Sequence, residues 1–147
     1  MGESRSLDAA LLAGGRSNRF GSDKAFFEWK GEPLYQRQLS LLDELGPDRL
    51  WLSANSDQAF EVEEHVSIVL DEESDLGPAG GLLSVFHQSE ADDVLVLGVD
   101  LPLMERDFLV KLIEYGSGVV PKSERFWEPL AAIYPRLEMM SLIKGAI

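Results

Sequence analysis

The chain has 147 residues, 26 acidic against 13 basic, for a net charge of −13. So large a negative excess repels nucleic-acid phosphates and anionic lipid, and neither is an expected partner. The sequence contains no cysteine. That excludes a disulfide framework, a thiolate metal site and a cysteine nucleophile, and makes a reduced cytoplasm the default expectation.

The length fits one domain, residues 1–147. No apolar run approaches the roughly 20 residues of a membrane span. The first six residues are polar, so no signal peptide is expected. Residues 7–13 form an apolar run that ends in Gly14 and Gly15, which reads as a buried strand stopped by a turn. Residues 15–30 read as a loop rich in glycine, serine and charge. Residues 33–45 read as a helix, with Tyr35, Leu39, Leu42 and Leu45 at helical spacing and Pro33 in its first turn. Residues 50–54 and 66–70 are two more strands, the second closed by Asp71.

A glycine-rich loop, Gly77-Pro78-Ala79-Gly80-Gly81, then feeds a helix over 81–88 with Leu82, Val85 and Phe86 on one face. Residues 94–99 are the most apolar strand and run into Asp100-Leu101-Pro102. Residues 105–115 read as a helix, 119–120 and 129–134 as strands, and 137–143 as a helix. Strands alternating with helices imply a three-layer, Rossmann-like α/β fold, a mostly parallel sheet covered on both faces. In such sheets ligands bind beyond the carboxyl ends of the strands. Gly14, Gly15, Asn55, Asp71 and Asp100 all fall at or just past such ends.

The segment from Leu12 to Lys24 carries three cations, Arg16, Arg19 and Lys24, in an otherwise acidic chain. Glycines directly after a strand let backbone N–H groups approach an anion, and the cations add charge and reach. It is neither a Walker A loop nor the dinucleotide fingerprint. By residue type alone it is as well read as a flexible surface loop. Asp100 alone reads as a turn or helix-capping aspartate. Asp71 alone belongs with Glu72, Glu73 and Asp75 on a solvated acidic face, and Asn55 is a common turn residue. His65 and His87 show no partner at metal-ligand spacing and read as ordinary surface or helix histidines. Trp29, Trp51 and Trp127 read as core or pocket-wall residues. Met139 and Met140 read as packing for partners beyond the end of the chain.

The pattern Leu-Ala-Gly-Gly-x-Ser-x-Arg-x-Gly-x-x-Lys, as Leu12 to Lys24, resembles the signature of nucleotidyltransferases with the nucleotide-diphosphosugar transferase fold. Among these it most resembles the molybdenum cofactor guanylyltransferases. Phe20 departs from the family's usual methionine. Later segments agree in order: Asp71 with Gly77-Pro78-Ala79-Gly80-Gly81, then Gly98-Val99-Asp100-Leu101-Pro102, then Glu128-Pro129-Leu130-Ala131. The cytidylyltransferase relatives more often carry Leu-Ala-Ala-Gly and lack the Gly-Pro loop, so the resemblance favours guanine. It spans about residues 7–137.

The resemblance implies transfer of GMP from GTP to molybdopterin with release of pyrophosphate. The attacking phosphate is already an anion and needs no general base. Implied roles follow residue by residue. Asp100 holds Mg²⁺, the expected cofactor, and Lys24 and Arg19 neutralise the phosphates. Leu12, Ala13, Gly14, Gly15, Gly77, Pro78 and Gly80 line the GTP site, with Asn55 and Asp71 on the nucleoside. Transient contact with molybdoenzymes or other cofactor-biosynthesis proteins is also implied. Family members continue past Ile147, so the nucleotide half is expected to be complete and the acceptor half truncated. Two competing expectations are a cytidylyl- or sugar-phosphate nucleotidyltransferase, and a nucleotide-binding module without turnover.

Overall fold

Five strands form the central sheet in a computed structural model that describes residues 5–14, 24–71, 78–101, 104–118, 120 and 130–146. In chain order the elements are β1 (Leu7–Leu12), a 3-10 turn (Lys24–Phe26), β2 (Glu28–Trp29), β3 (Glu32–Pro33) and α1 (Leu34–Asp43). They continue with β4 (Leu50–Ala54), β5 (Val66–Leu70), α2 (Pro78–Gln88), β6 (Asp93–Gly98), α3 (Arg106–Tyr115), β7 (Ala131–Pro135) and α4 (Arg136–Ala146). The strand order is β5-β4-β1-β6-β7. The first four run parallel, and β7 closes the edge antiparallel to β6, with Asp93 opposite Pro135 and Leu97 opposite Ala131.

Side chains alternate across the sheet with a period of two, so each strand feeds two cores. Ala9 and Leu11, Leu50 and Leu52, and Leu95 and Leu97 face α1 and α3. Ala10 and Leu12, Trp51, and Val94 and Val96 face α2 and α4. All six residues of β6 are buried, as its apolar run predicts. This is the expected α/β architecture with helices on both faces.

Two local expectations are corrected. The stretch read as loop over 15–30 contains the 3-10 turn and half of a two-stranded hairpin, β2–β3. Lys30 and Gly31 both take positive φ, 51° and 88°, the conformation a two-residue hairpin turn demands. Val120 lies outside any strand, and Val119 lies outside the described residues. Met139, Met140 and Ile143 are half-buried and pack on the α2-side core. The return from β4 to its parallel neighbour β5 is not helical. It is an extended strap over 55–65.

The amino ends of the strands are pinned by a buried carboxylate. Asp8 is 2% exposed. It accepts from Trp51 Nε1 at 2.8 Å, Ser89 Oγ at 2.7 Å and the Arg49 amide at 3.1 Å. Trp51 is therefore the core residue expected, and the Arg49 guanidinium lies 4.3 Å from its ring centre.

Candidate active site

The chain leaving β1 does not swing free of the sheet. The amides of Ala13 and Gly14 both donate to the Ser53 carbonyl at 2.9 Å, which keeps the first motif beside the end of β4. This close approach favours glycine at position 14. A Cβ there would sit 3.0 Å from Asn55 Oδ1 and 3.3 Å from the Asn55 nitrogen. Gln58 completes the join, donating to the Ala13 carbonyl at 2.9 Å and accepting from the Asn55 amide at 2.7 Å.

Neighbouring strand ends meet at the same rim. The Asp71 amide donates to the Ala54 carbonyl at 2.9 Å, which sets Asp71 next to Asn55. The Val99 amide donates to the Leu12 carbonyl at 3.1 Å, so the turn carrying Asp100 leaves β6 alongside the first motif. Asp100 is exposed, and its Oδ1 lies 3.4 Å from the position a Gly98 Cβ would take. The first turns of α2 press on the end of β4. A Cβ on Gly81 would come within 2.7 Å of Ser53 Oγ. Gly80 is buried, and its carbonyl accepts from Ser84 Oγ at 2.9 Å.

Lys24 approaches from α1. It is exposed and opens the 3-10 turn, while Ala25 beside it is fully buried in the α1-side core. The turn is tied to the head of α1, where the Leu34 amide donates to the Phe27 carbonyl at 2.8 Å. Because α1 follows β1 and returns the chain to a parallel strand, its head lies at the carboxyl rim. One turn further along, Gln38 donates to the Leu101 carbonyl at 2.7 Å, and Arg37 donates to the Met104 carbonyl at 3.2 Å.

Leu12, Ala13, Gly14, Asn55, Asp71, Gly80 and Asp100 are thus gathered along one rim, with the Lys24 turn at the head of the adjoining helix. Pro78 opens α2. Gly15, Arg19 and Gly77 lie outside the described residues. Ser53 and Gln58 were not among the expected site residues. A lone serine in the apolar run 50–54 was a signal for the first; nothing at short range pointed to the second. His65 is the exposed surface histidine expected, with carboxylate neighbours that its sequence spacing did not indicate. At the opposite end of the strap its Nε2 lies 3.0 Å from Asp43 Oδ2 and its Nδ1 3.5 Å from Glu63 Oε2, all three exposed. The pairing escapes inspection of spacing because Asp43 comes from another element, at the end of α1.

Against known families, residues 9–145 match the MobA-like NTP transferase domain. The chain belongs to that family. A protein of Opitutus terrae named "probable molybdenum cofactor guanylyltransferase" is 36% identical over 135 residues, which is 88% of this chain and 66% of the relative. The molybdenum cofactor guanylyltransferase of Xanthomonas euvesicatoria is 38% identical over 110 residues, 74% of this chain and 54% of the relative. The chain therefore spans between about half and two thirds of these relatives' length. The solved molybdopterin-guanine dinucleotide biosynthesis protein A of Archaeoglobus fulgidus superposes with a TM-score of 0.71 at 19% identity, covering 95% of this chain and 72% of that one. That likeness shows the shared fold. No helix among the described residues is long and apolar enough to cross a membrane.

Proposed function

We propose that this chain is a nucleotidyltransferase domain that moves GMP from GTP to the terminal phosphate of molybdopterin, with magnesium, releasing pyrophosphate. The observation that carries most weight is the contact of Gly14 with Asn55 at the end of β1, with Asp71 and Asp100 on the same rim. Relatives named for this activity add to it.

Guanine fits the hydrogen-bonding groups at that rim. The Ala13 and Gly14 amides are both committed to Ser53, so these donors are already used. The Leu12 and Ala13 carbonyls each accept one hydrogen bond, from Val99 and Gln58, and each oxygen has a second lone pair. Among the described residues, this backbone with spare acceptor capacity and engaged donors suits the donor edge of guanine better than the acceptor edge of cytosine. Asn55 and Asp71 then contact the nucleoside. Gly80, in the first turn of α2 where a loop was expected, keeps a side chain out of the base's way.

Phosphate chemistry falls to Lys24, Arg19 and Asp100. Asp100 offers a hard, exposed oxygen ligand, which fits magnesium held by one carboxylate and the triphosphate. When bound, the metal neutralises charge on the triphosphate and aligns its α-phosphorus. Lys24 offsets charge that builds on the departing pyrophosphate, as a compact cation on a flexible stem. Alignment and charge neutralisation are what this reaction requires of a protein.

The test is pyrophosphate release on mixing the chain with molybdopterin, Mg²⁺ and either GTP or CTP. Release with GTP is expected, and Lys24→Ala and Asp100→Ala should each slow it by about 10²–10³. Faster release with CTP would replace the guanylyl assignment by a cytidylyl one. GTP binding without any release would leave a nucleotide-binding module.

A further inference from the structure

We propose that Phe60 is a positioning residue, which holds Lys24 on the phosphate side of the nucleotide site by stacking on Phe26; this rests on the guanylyltransferase assignment above. The strap over 55–65 does more than return the chain from β4 to β5. Its start carries Asn55 and Gln58 of the site, and its far end is fastened to α1 by the His65–Asp43 pair at 3.0 Å. Between these anchors it crosses the head of α1. The Tyr35 hydroxyl donates to the Glu61 carbonyl at 3.2 Å and accepts from the Glu61 amide at 3.4 Å.

That clamp delivers the Phe60 ring to two others. Phe60 lies parallel to Phe26, with centres 4.8 Å apart and planes 13° apart. It meets Tyr35 edge-on at 4.8 Å, and Phe26 meets Tyr35 edge-on at 5.5 Å. Phe26 closes the 3-10 turn that Lys24 opens. So short a turn does not hold itself, because 3-10 geometry is strained and its closing bond, Phe27 amide to Lys24 carbonyl, measures 3.2 Å. Ala25 anchors one side of the turn in the core, and the aromatic stack fixes the other. A lysine on a flexible stem reaches a phosphate only as reliably as its Cα is placed.

The stack is on the outside of the molecule: Phe26 is 38% exposed, whereas Tyr35 beneath it is 4% exposed. Phe60 is half-buried and packs at the edge of the α1-side core, so its part in placing Lys24 is read in phosphate binding by the folded variants. The experiment is a double-mutant cycle on Mg-GTP affinity, with GMP as the probe that lacks the outer phosphates. Phe60→Ala is expected to weaken GTP about tenfold and to leave GMP affinity unchanged. Phe60→Tyr should restore GTP binding. In a Lys24→Ala background, Phe60→Ala should have no further effect. Phe60→Leu, which keeps apolar volume without a ring, should behave as Phe60→Ala does and replaces it if the alanine variant unfolds. The proposal is overturned if the Phe60 variants bind GTP like wild type, lose GMP equally, or lose as much again in the Lys24→Ala chain. If Lys24→Ala alone leaves GTP affinity unchanged, the site assignment falls and this inference with it.

Discussion

Gln38 donates its side-chain amide to the Leu101 carbonyl at 2.7 Å from a position with no solvent exposure. Leu101 follows Asp100 in the chain, and Gln38 lies one turn along the helix whose first amide holds the Phe27 carbonyl beside the Lys24 turn. A single rigid helix thus sets the spacing between the proposed phosphate cation and the proposed metal ligand. Gln38→Leu should lower stability by about 1–3 kcal/mol, because the half-buried Leu101 carbonyl loses its donor. It should also weaken GTP binding in Mg²⁺ several-fold more than in a chelator. Calorimetric titration in the two buffers checks this, and an equal loss in both would detach Gln38 from Asp100.

Gly81 is a packing glycine. The 2.7 Å between its Cβ position and Ser53 Oγ leaves no room for a methyl group. Gly81→Ala should cost about 1–3 kcal/mol through overpacking. Adding Ser53→Ala removes the clashing oxygen and should recover most of that loss in urea unfolding. A double variant no more stable than Gly81→Ala would mean that the strain lies elsewhere.

Asp8 tests the far end of the same sheet. Three donors converge on this one buried carboxylate, so Asp8→Ala should destabilise by about 3 kcal/mol or more. Nucleotide affinity of the folded protein should not change, because Asp8 lies at the amino end of β1 and the site at its carboxyl end. Unfolding midpoints and GTP titration on one preparation separate the two effects.

Alkaline stability should depend on Tyr134. Burial disfavours its phenolate and raises its titration above the ordinary value of 10.0. A group whose folded value is raised contributes fully below the unfolded value, and its contribution is lost as pH rises through the folded one. Urea midpoints followed from about pH 8 to about pH 11 should fall more steeply for wild type than for Tyr134→Phe. Parallel slopes would show that another group governs the alkaline limb.

Much of this architecture is legible in the residues themselves. The run 94–98 is apolar throughout because β6 is buried on both faces, and Leu39 and Leu42 recur at helical spacing because α1 covers the sheet. Gly14 could be placed at a strand end because glycine after an apolar run marks a close approach. The direction of β7 could not be read, since its apolar pattern is the same in a parallel or antiparallel pairing. Gln58, Ser53 and Asp8 were illegible for a different reason. Each acts on backbone or side chains more than 25 positions away, or across strands, and no local pattern records such a partner. The same holds for Phe60, which looks like any apolar residue in an acidic stretch until the strap is laid over α1.

The most direct measurement is the affinity of GTP with and without Mg²⁺ for wild type and Asp100→Ala. Wild type should bind GTP more tightly when the ion is present, and Asp100→Ala should erase that gain while still binding the metal-free nucleotide. If the variant keeps the full magnesium-dependent gain, the carboxylate at the end of β6 does not hold the ion, and the chemistry assigned to this rim is wrong.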